Sequence, residues 1–320
     1  MNQAIQGPNS EYSNPFAVLL TGGVGGARAA RSLNRVFAGG RLTVVGNVGD
    51  DELIHGAHVS ADLDTVLYTL AGIEGPHGWG IAGDSFTVMD HLETLGVDTT
   101  FRLGDRDLAT CLFRTGLLAS GNRLSDITEQ IRLALGVETR ILPATDDPVR
   151  TRVRIADGSW LPFQEYFVAR GHRDHVLEVE YTGAERALPG PGVVEAIAAA
   201  DVVVIAPSNP PLSIGPIIAV PEIRRAIADK ERVVAISPLF EGKALKGPAE
   251  RVLASLGFPP GNAGVLASYE GLISDVVVDI GDATDVRKLS TSVMIHATNT
   301  RLGTEDEARR FAEWFQEAFA

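Results

Sequence analysis

The chain has 320 residues, of which 45% are hydrophobic, with a formal net charge of -13 and a single cysteine, Cys111. This is enough apolar material for a large core, and one cysteine excludes an intrachain disulfide or a cysteine-rich zinc site. The negative charge argues against a nucleic-acid surface, and no apolar run reaches the roughly 20 residues that cross a bilayer. We therefore expect a cytoplasmic protein with neither a nucleic-acid nor a membrane partner.

The first half of the chain predicts a flexible tail, the start of a Rossmann-like domain and an inserted helical part. Residues 1–14 are rich in Asn, Gln, Ser, Gly and Pro taken together, and they lack periodicity. Within 15–71, two apolar strands are predicted, at 16–20 and 42–45, together with helices after Gly26 and at 62–70. Residues 72–136 contain no convincing strand, so we predict a small helical subdomain there. Its helices are expected at 84–95, 107–119 and 124–135.

Residues 137–320 predict the remainder of the α/β domain. Alternating apolar patterns, with a hairpin turn at Asp157 and Gly158, indicate antiparallel strands at an edge. They lie at 151–155, 160–168 and 175–181. Three buried strands then alternate with helical stretches, which indicates parallel pairing with right-handed crossovers. They lie at 202–206, 233–237 and 276–280. The predicted fold is a mostly parallel, Rossmann-like α/β sheet with helices on both faces.

A glycine-rich turn follows the first predicted strand and contains Thr21, Gly22, Gly23, Gly25 and Gly26. Without Cβ atoms the backbone can turn tightly and present amide N–H groups at a helix N-terminus, where the dipole favours anions. The turn matches neither a P-loop nor a strict G-x-G-x-x-G motif. It predicts phosphate binding, with a plain strand-to-helix turn as the alternative.

Four aspartates follow the second predicted strand, at Asp50, Asp51, Asp62 and Asp64. Crowded carboxylates require a cation or a positively charged ligand group, and the carboxyl end of a strand is where open α/β sheets bind ligands. We predict metal or substrate binding for at least one of Asp50, Asp51 and Asp64. Asp62 is equally compatible with capping the helix that follows it. No acidic residue closes this strand, which ends at Asn47, so an NAD-dependent dehydrogenase is disfavoured.

Two further polar stretches are candidate site segments. Residues 102–107 hold two arginines and two aspartates, and Arg114 follows on the same helix, although a solvated charge run is an alternative. The proline-rich segment 206–216 follows a buried strand and cannot be a regular helix. It presents Ser208, Asn209 and Ser213, which could contact a base or a phosphate, unless the segment is a plain crossover turn.

Taken in order, these motifs resemble the 2-phospho-L-lactate transferase family (CofD or FbiA) of coenzyme F-420 biosynthesis over nearly the whole chain. The resemblance rests on segments that begin at the glycine-rich turn and continue beyond the proline-rich loop. They are 21–28, 49–51, 62–72, 78–80, 103–110, 163–168, 207–210 with 213–216, and 237–238 with 247–248. It implies transfer of a phosphoenolpyruvyl or 2-phospho-L-lactyl group from a guanosine diphosphate conjugate to a ribityl hydroxyl of the deazaflavin Fo. The reaction releases GMP and uses magnesium.

The resemblance also implies roles for individual residues. Asp64 and Asp50 are expected to be catalytic, and magnesium is expected at Asp50 with Asp51 and Asp62. The deazaflavin is expected at Asp64, Arg102, Trp79 and Asp84, with Arg102 opposite Asp64. The nucleotide is expected at Thr21, Gly22, Gly23, Gly25, Gly26, Ser208, Asn209 and Ser213. Asp64→Asn is predicted to leave the fold intact and to abolish Fo-dependent GMP release.

Two questions stay open at this point. The sequence of residues 22–28 and the pair His55-Gly56 resemble the bacterial branch of the family, which favours the phosphoenolpyruvyl donor. The phospholactyl donor is the alternative. A non-catalytic regulator that binds nucleotide sugars, from the related gluconeogenesis-factor family, is the alternative function. That family differs where this chain has Asp62-Leu63-Asp64-Thr65. A homodimer is the family expectation.

Overall fold

The computed structural model describes residues 15–245, 247–286, 289 and 291–319, so the predicted tail at 1–14 lies outside the described residues. The strands are β1 (Ala17–Thr21), β2 (Leu42–Gly46), β3 (Glu52–Ile54), β4 (Ala57–Val59), β5 (Arg140–Pro143), β6 (Arg150–Ile155), β7 (Trp160–Pro162), β8 (Val176–Thr182), β9 (Val202–Ile205), β10 (Val233–Ile236), β11 (Leu239–Phe240), β12 (Lys243–Ala244), β13 (Asp275–Asp279) and β14 (Met294–Thr298). The α-helices are α1 (Gly23–Leu33), α2 (Ala61–Leu70), α3 (Thr87–Thr94), α4 (Asp105–Ala119), α5 (Leu124–Ala134), α6 (Val193–Ala199), α7 (Gly215–Ile218), α8 (Pro221–Ala228), α9 (Ala249–Ser255), α10 (Asn262–Ser268), α11 (Ala283–Val286) and α12 (Glu305–Phe319).

Seven strands form the central sheet in the order β14-β13-β10-β9-β1-β2-β5, and every neighbouring pair is parallel. The chain adds β2 and β5 on one side of β1, and it adds β9, β10, β13 and β14 on the other side. The strand order therefore reverses between β1 and β9, and such a topological switch point has a crevice at the carboxyl ends of its strands. The predicted mostly parallel α/β fold is confirmed.

The central sheet is covered on both faces. Leu19 and Val204 belong to an apolar cluster with residues of α1, α2, α5 and α12, whereas Val18 and Val203 belong to a second cluster with residues of α6, α8 and α10. Successive side chains of a strand point to opposite faces, so β9 is apolar along its whole length and β1 is apolar up to Leu20, as a doubly covered parallel sheet requires. This packing fixes the strand ends that carry the polar loops.

The antiparallel region differs from the prediction in detail. Strands β6, β7 and β8 form a separate three-stranded sheet, with the chain turning at Asp157 and Gly158 between β6 and β7. The predicted strand 160–168 is wrong beyond Pro162, because Glu165–Ala169 forms a π-helical turn that buries Tyr166. Strands β3, β4, β5 and β14 were not predicted. These are short, and β14 is only partly buried, so neither alternation nor an apolar run marks them.

The helices between β4 and β5 serve two different parts of the fold. Helix α5 buries Leu124, Ile127 and Ile131 in the main apolar cluster beside the central sheet. Helices α3 and α4 instead pack Met89 and Cys111 against the β3–β4 hairpin in a small cluster of their own. Helix α3 begins at Thr87, three residues after the predicted start. The predicted domain boundaries at 72 and 136 stay a prediction. Among the described helices, none has both the length and the apolar character needed to cross a bilayer.

Candidate functional site

The predicted glycine loop is mostly the first turn of α1, which begins at Gly23. Gly23 has a φ of 65°, which favours glycine, and its N–H donates to Asp62 Oδ1 at 2.7 Å. A Cβ atom on Gly22 would lie 2.5 Å from Asp62 Oδ2 and 2.7 Å from Ser213 Cβ. Glycine is therefore required here because β1, α2 and the loop after β9 converge on this backbone.

The loop after β9 is joined to the glycine turn by Ser208. Its hydroxyl donates to the Gly22 carbonyl at 2.7 Å and lies 3.3 Å from the Gly22 N–H, from which it accepts. A Cβ atom on Gly25 would collide with the carbonyl of Pro207, so the two loops are in contact along their backbones. The structure thus brings the predicted phosphate-binding residues of both loops to the crevice between β1 and β9.

Two of the predicted nucleotide residues have specific surroundings within this crevice. The side-chain oxygen of Asn209 accepts from Leu212 N at 3.2 Å and caps the π-helical turn Pro210–Ile214, which explains why this proline-rich segment is ordered without a regular helix. Thr21 Oγ1 is buried and has no hydrogen-bond partner among the described residues. A buried hydroxyl without a partner is unusual, and this one lies against the backbone of Gly26, where a Cβ atom would lie 1.8 Å from Thr21 Oγ1.

Asp62 does not cap its own helix. Besides the Gly23 N–H, it accepts a hydrogen bond from Asn47 Nδ2 at 2.9 Å, and Asn47 Oδ1 accepts from Gly49 N at 2.7 Å. Burial raises the pKa of Asp62 to about 6, against the opposing effect of these two donors. Asn47, which was not predicted as a site residue, therefore connects the glycine turn, through Asp62, to the loop that carries Asp50.

Asp50 and Asp51 are almost completely buried, 4% and 2% exposed. The Oδ1 atoms of both carboxylates lack hydrogen-bond partners in the described part of the chain, whereas Asp51 Oδ2 accepts from Ser60 Oγ at 2.8 Å. Burial, followed by the charge of Asp62, raises the pKa of Asp50 well above its usual range. Burial raises the pKa of Asp51 to about 7. These carboxylates are expensive to ionise in the ligand-free protein.

The surroundings of Asp50 fit a magnesium ion. Mg²⁺ prefers oxygen ligands and keeps several waters, so one or two carboxylates are sufficient, and Asp50 offers an unpartnered oxygen close to the charge of Asp62. Asp50, Asp51 and Asp62 are not, however, a preassembled triad. In the described residues, the group of three potential ligands within 4.8 Å of one another is Asp64, Asp107 and Cys111. The predicted magnesium site stays a prediction, with Asp50 as the ligand that fits, because both oxygens of Asp62 already accept hydrogen bonds.

Asp64 forms a buried ion pair with Arg114 rather than with Arg102. Arg114 is 1% exposed and donates from both terminal nitrogens, with Nη1 lying 3.1 Å from Asp64 Oδ2 and 3.1 Å from the His58 carbonyl. Burial nevertheless raises the pKa of Asp64, against the attraction of Arg114. Arg102 lies at the surface and donates to Asp90. The structure therefore does not place Arg102 opposite Asp64, and its role in binding the deazaflavin stays a prediction.

The remaining two predicted deazaflavin residues, Asp84 and Trp79, lie between α2 and α3 and have different surroundings. Both carboxylate oxygens of Asp84 are used, because they accept from Arg106 N at 3.0 Å and Asp107 N at 3.1 Å. Asp84 thus caps α4, not the helix that follows it in sequence. Trp79 is 56% exposed, with its ring 5.7 Å from that of His77. The predicted binding roles of Asp84 and Trp79 stay untested.

Gln164 was not predicted as a site residue. Its Nε2 donates to the Asp50 carbonyl at 3.0 Å, although the two residues are 114 positions apart in the sequence. Its only sequence signal was its place in the segment 163–168. We expect Gln164→Leu to lower the free energy of unfolding by about 1–3 kcal/mol, because a buried carbonyl loses its donor. We also expect it to weaken Mg²⁺ binding about 10- to 100-fold, because the Asp50 loop is no longer held.

Urea unfolding and calorimetric titration with MgCl₂ test this expectation. Gln130→Leu, on the exposed face of α5, is the matched control and is expected to change neither quantity. Unaltered Mg²⁺ affinity in Gln164→Leu would contradict a positioning role for this side chain.

Comparison with known proteins supplies independent information. The model of the family described as 2-phospho-L-lactate transferase CofD matches residues 17–309. The chain is 40% identical over 298 residues to a 2-phospho-L-lactate transferase of Methanopyrus kandleri, covering 92% of this chain and 94% of that protein. It is 42% identical over 282 residues to a phosphoenolpyruvate transferase of Streptomyces griseus, covering 86% and 89% respectively.

Solved structures with a similar fold come from Bacillus halodurans. One crystal structure superposes with a TM-score of 0.63 at 18% identity, covering 94% of this chain and 98% of that chain. Another, described as a member of the UPF0052 family, superposes with a TM-score of 0.61 at 18% identity over the same shares. At this identity the likeness shows the fold alone.

Proposed function

Because the chain belongs to the 2-phospho-L-lactate transferase CofD family and is a transferase of that type, we propose that it uses the deazaflavin Fo as acceptor and releases GMP. The donor is a guanosine diphosphate conjugate of a three-carbon acid. The observation that carries the proposal is the hydrogen bond from Gly23 to Asp62, which joins an anion-binding helix start to a group of buried carboxylates. That junction suits a diphosphate with a bound cation.

In the proposed reaction, a ribityl hydroxyl oxygen of Fo bonds to the outer phosphorus of the donor, and the bond from that phosphorus to the GMP oxygen breaks. The hydroxyl proton leaves to solvent or to a base, and GMP departs with the electron pair of the broken bond. Such a transfer needs alignment and charge neutralisation more than a protein nucleophile. Mg²⁺ held by Asp50 would neutralise part of the diphosphate charge.

The chain's own residues have distinct tasks in this scheme. The amides at the start of α1 bind the phosphate that leaves with GMP, and Ser208 keeps the loop after β9 against that turn. Asp64 orients the acceptor hydroxyl. Since both Asp64 oxygens accept hydrogen bonds from Arg114, we assign it orientation and not proton removal.

The donor is proposed to carry phosphoenolpyruvate, because the sequence of the glycine turn and of His55-Gly56 resembles the bacterial branch of the family. The relatives carry both names, since one is a 2-phospho-L-lactate transferase and another is a phosphoenolpyruvate transferase. We also propose a homodimer, in line with the family expectation; light scattering of the pure protein tests this separately.

Incubating the pure protein with Fo, MgCl₂ and either donor tests the function. We expect GMP release that requires both Fo and Mg²⁺, is abolished by EDTA, and is faster with the phosphoenolpyruvyl donor. Faster release from the phospholactyl donor would reverse the donor assignment alone. If neither donor yields GMP and calorimetry shows nucleotide-sugar binding, the protein is instead a regulator.

A further inference from the structure

A cavity of about 230 Å³ adjoins the first turn of α1, outside the group of aspartates described above. Its walls come from α1, the end of α2, the loop that follows α2, and the segment before α12. Lining residues from these parts include Val24, Arg28, Arg31, Thr69, Glu74 and Gly303. No residue assigned so far to the metal, the nucleotide or the deazaflavin lines this cavity.

The cavity is lined by one guanidinium, that of Arg28, that forms no direct ion pair within the described part of the chain. Arg31 is neutralised by Glu74, with Arg31 Nη1 2.7 Å from Glu74 Oε1. Arg28 is half-buried and forms no hydrogen bond or ion pair with any residue that the structure describes. A guanidinium offers a planar fork of donors that matches a carboxylate or a phosphate, and partial withdrawal from water strengthens such a pair. An anionic group is therefore the complement of this cavity.

The cavity lies next to the proposed nucleotide site, because its lining residue Val24 stands between Gly23 and Gly25. Arg28 lies four residues after Val24 on the same face of α1, and side chains on a helix lean toward its N-terminus. Both residues line the cavity. On the opposite wall the backbone of Gly78 touches Val24, since a Cβ atom on Gly78 would lie 2.5 Å from Val24 Cγ1. Val24 therefore separates the start of α1 from the cavity, and Arg28 lies one helical turn beyond the amides that are proposed to hold the donor.

We propose that the Arg28 cavity binds an oxyanion of the donor, either the carboxylate of its three-carbon acid or a phosphate of its nucleotide. This inference rests on the proposed function. The three-carbon acid is negatively charged at its carboxylate as well as at its phosphate, whichever donor is used. Asp50, Asp51 and Asp62 repel a carboxylate at the reaction centre, so its counter-charge must lie outside that group. Arg28 satisfies this requirement.

Arg28→Met removes the charge and keeps the length of the side chain, and Arg28→Lys keeps the charge without the fork. Arg35→Met is the matched control, because Arg35 follows the same helix, pairs with Glu305 and does not line the cavity. Calorimetry measures the Kd of each protein for the intact donor, for GDP and for inorganic phosphate, and steady-state assays give kcat and KM. Since the described residues form no ion pair with Arg28 that the substitutions would break, we expect both variants to melt at the wild-type temperature. If Arg28→Met melts lower, the ligand affinities of Arg28→Lys are compared with those of the wild type instead.

If Arg28 binds the donor's carboxylate, Arg28→Met should weaken donor binding about 10- to 100-fold, as expected for loss of a charged hydrogen-bonded pair, and GDP binding should be unchanged. If Arg28 binds a nucleotide phosphate, GDP binding should weaken equally. Arg28→Lys should fall between Arg28→Met and wild type, and kcat should change less than KM. Wild-type affinity for all three ligands in Arg28→Met would overturn the proposal. If the wild-type protein turns over neither donor, the proposed function fails, but direct binding of the donor and GDP still tests Arg28.

Discussion

Replacing Asp50 with asparagine is expected to raise the free energy of unfolding by about 1–2 kcal/mol while slowing GMP release by at least about 100-fold. The gain in stability follows from the burial of Asp50, whose Oδ1 has no partner among the described residues and whose charge faces Asp62. Asparagine keeps the volume and removes the charge, so the repulsion disappears. The loss of activity follows because the same charge is what would hold Mg²⁺.

Urea unfolding in EDTA and GMP-release assays measure the two effects on the same preparation. Wild-type protein should also become more stable when MgCl₂ is added, and Asp50→Asn should show little of this effect, because binding to the native state alone stabilises it. Asp126→Asn, on the exposed side of α5, is the control and should leave both quantities unchanged. A less stable Asp50→Asn protein would mean that the Asp50 carboxylate is already compensated without metal.

The meeting of the three polar loops could be predicted from sequence because it depends on strand ends alone. Thr21 and Gly46 end neighbouring parallel strands, and the strand before Ser208 is the other neighbour of β1. Carboxyl ends of parallel strands share one edge of a sheet, so the loops after them must be close. The same reasoning cannot give the contacts between loops. Asp62 lies 39 positions from Gly23, and which helix it caps depends on how α2 packs against α1.

The sequence led us to expect Arg102 opposite Asp64, whereas the structure pairs Asp64 with Arg114. Arg102 and Arg114 both lie in the stretch that suggested a site, and local charge does not distinguish them. Arg114 follows Cys111 by three positions, so both face the small apolar cluster between α4 and the β3–β4 hairpin. Arg102 lies before α4, where Asp90 of α3 attracts it to the surface. Which arginine pairs with Asp64 depends on how α4 packs against α2, and these elements are about 50 positions apart. A single sequence does not indicate that packing.

Arg114→Met is expected to lower the free energy of unfolding by about 3–5 kcal/mol, because it leaves the buried Asp64 carboxylate without its counter-charge. This buried pair also changes what we expect of Asp64→Asn. That variant leaves the Arg114 charge buried without its anion, so it should be destabilised as well as inactive. Urea unfolding gives the magnitude. Arg123→Met, which breaks a pair on the exposed surface of α5, is the control and should leave stability unchanged.

Replacing both partners separates the structural role of the pair from its role in the reaction. Asp64→Leu combined with Arg114→Met substitutes apolar groups of similar size, so no buried charge is left alone and most of the lost stability should return. GMP release should stay at the level of the Asp64 single variant, because the carboxylate that we propose to orient the acceptor hydroxyl is absent. Recovery of stability together with turnover would show that Asp64 serves only the fold. A double variant as unstable as Arg114→Met would show that the shape of the pair, and not its charge balance, stabilises α4 on α2.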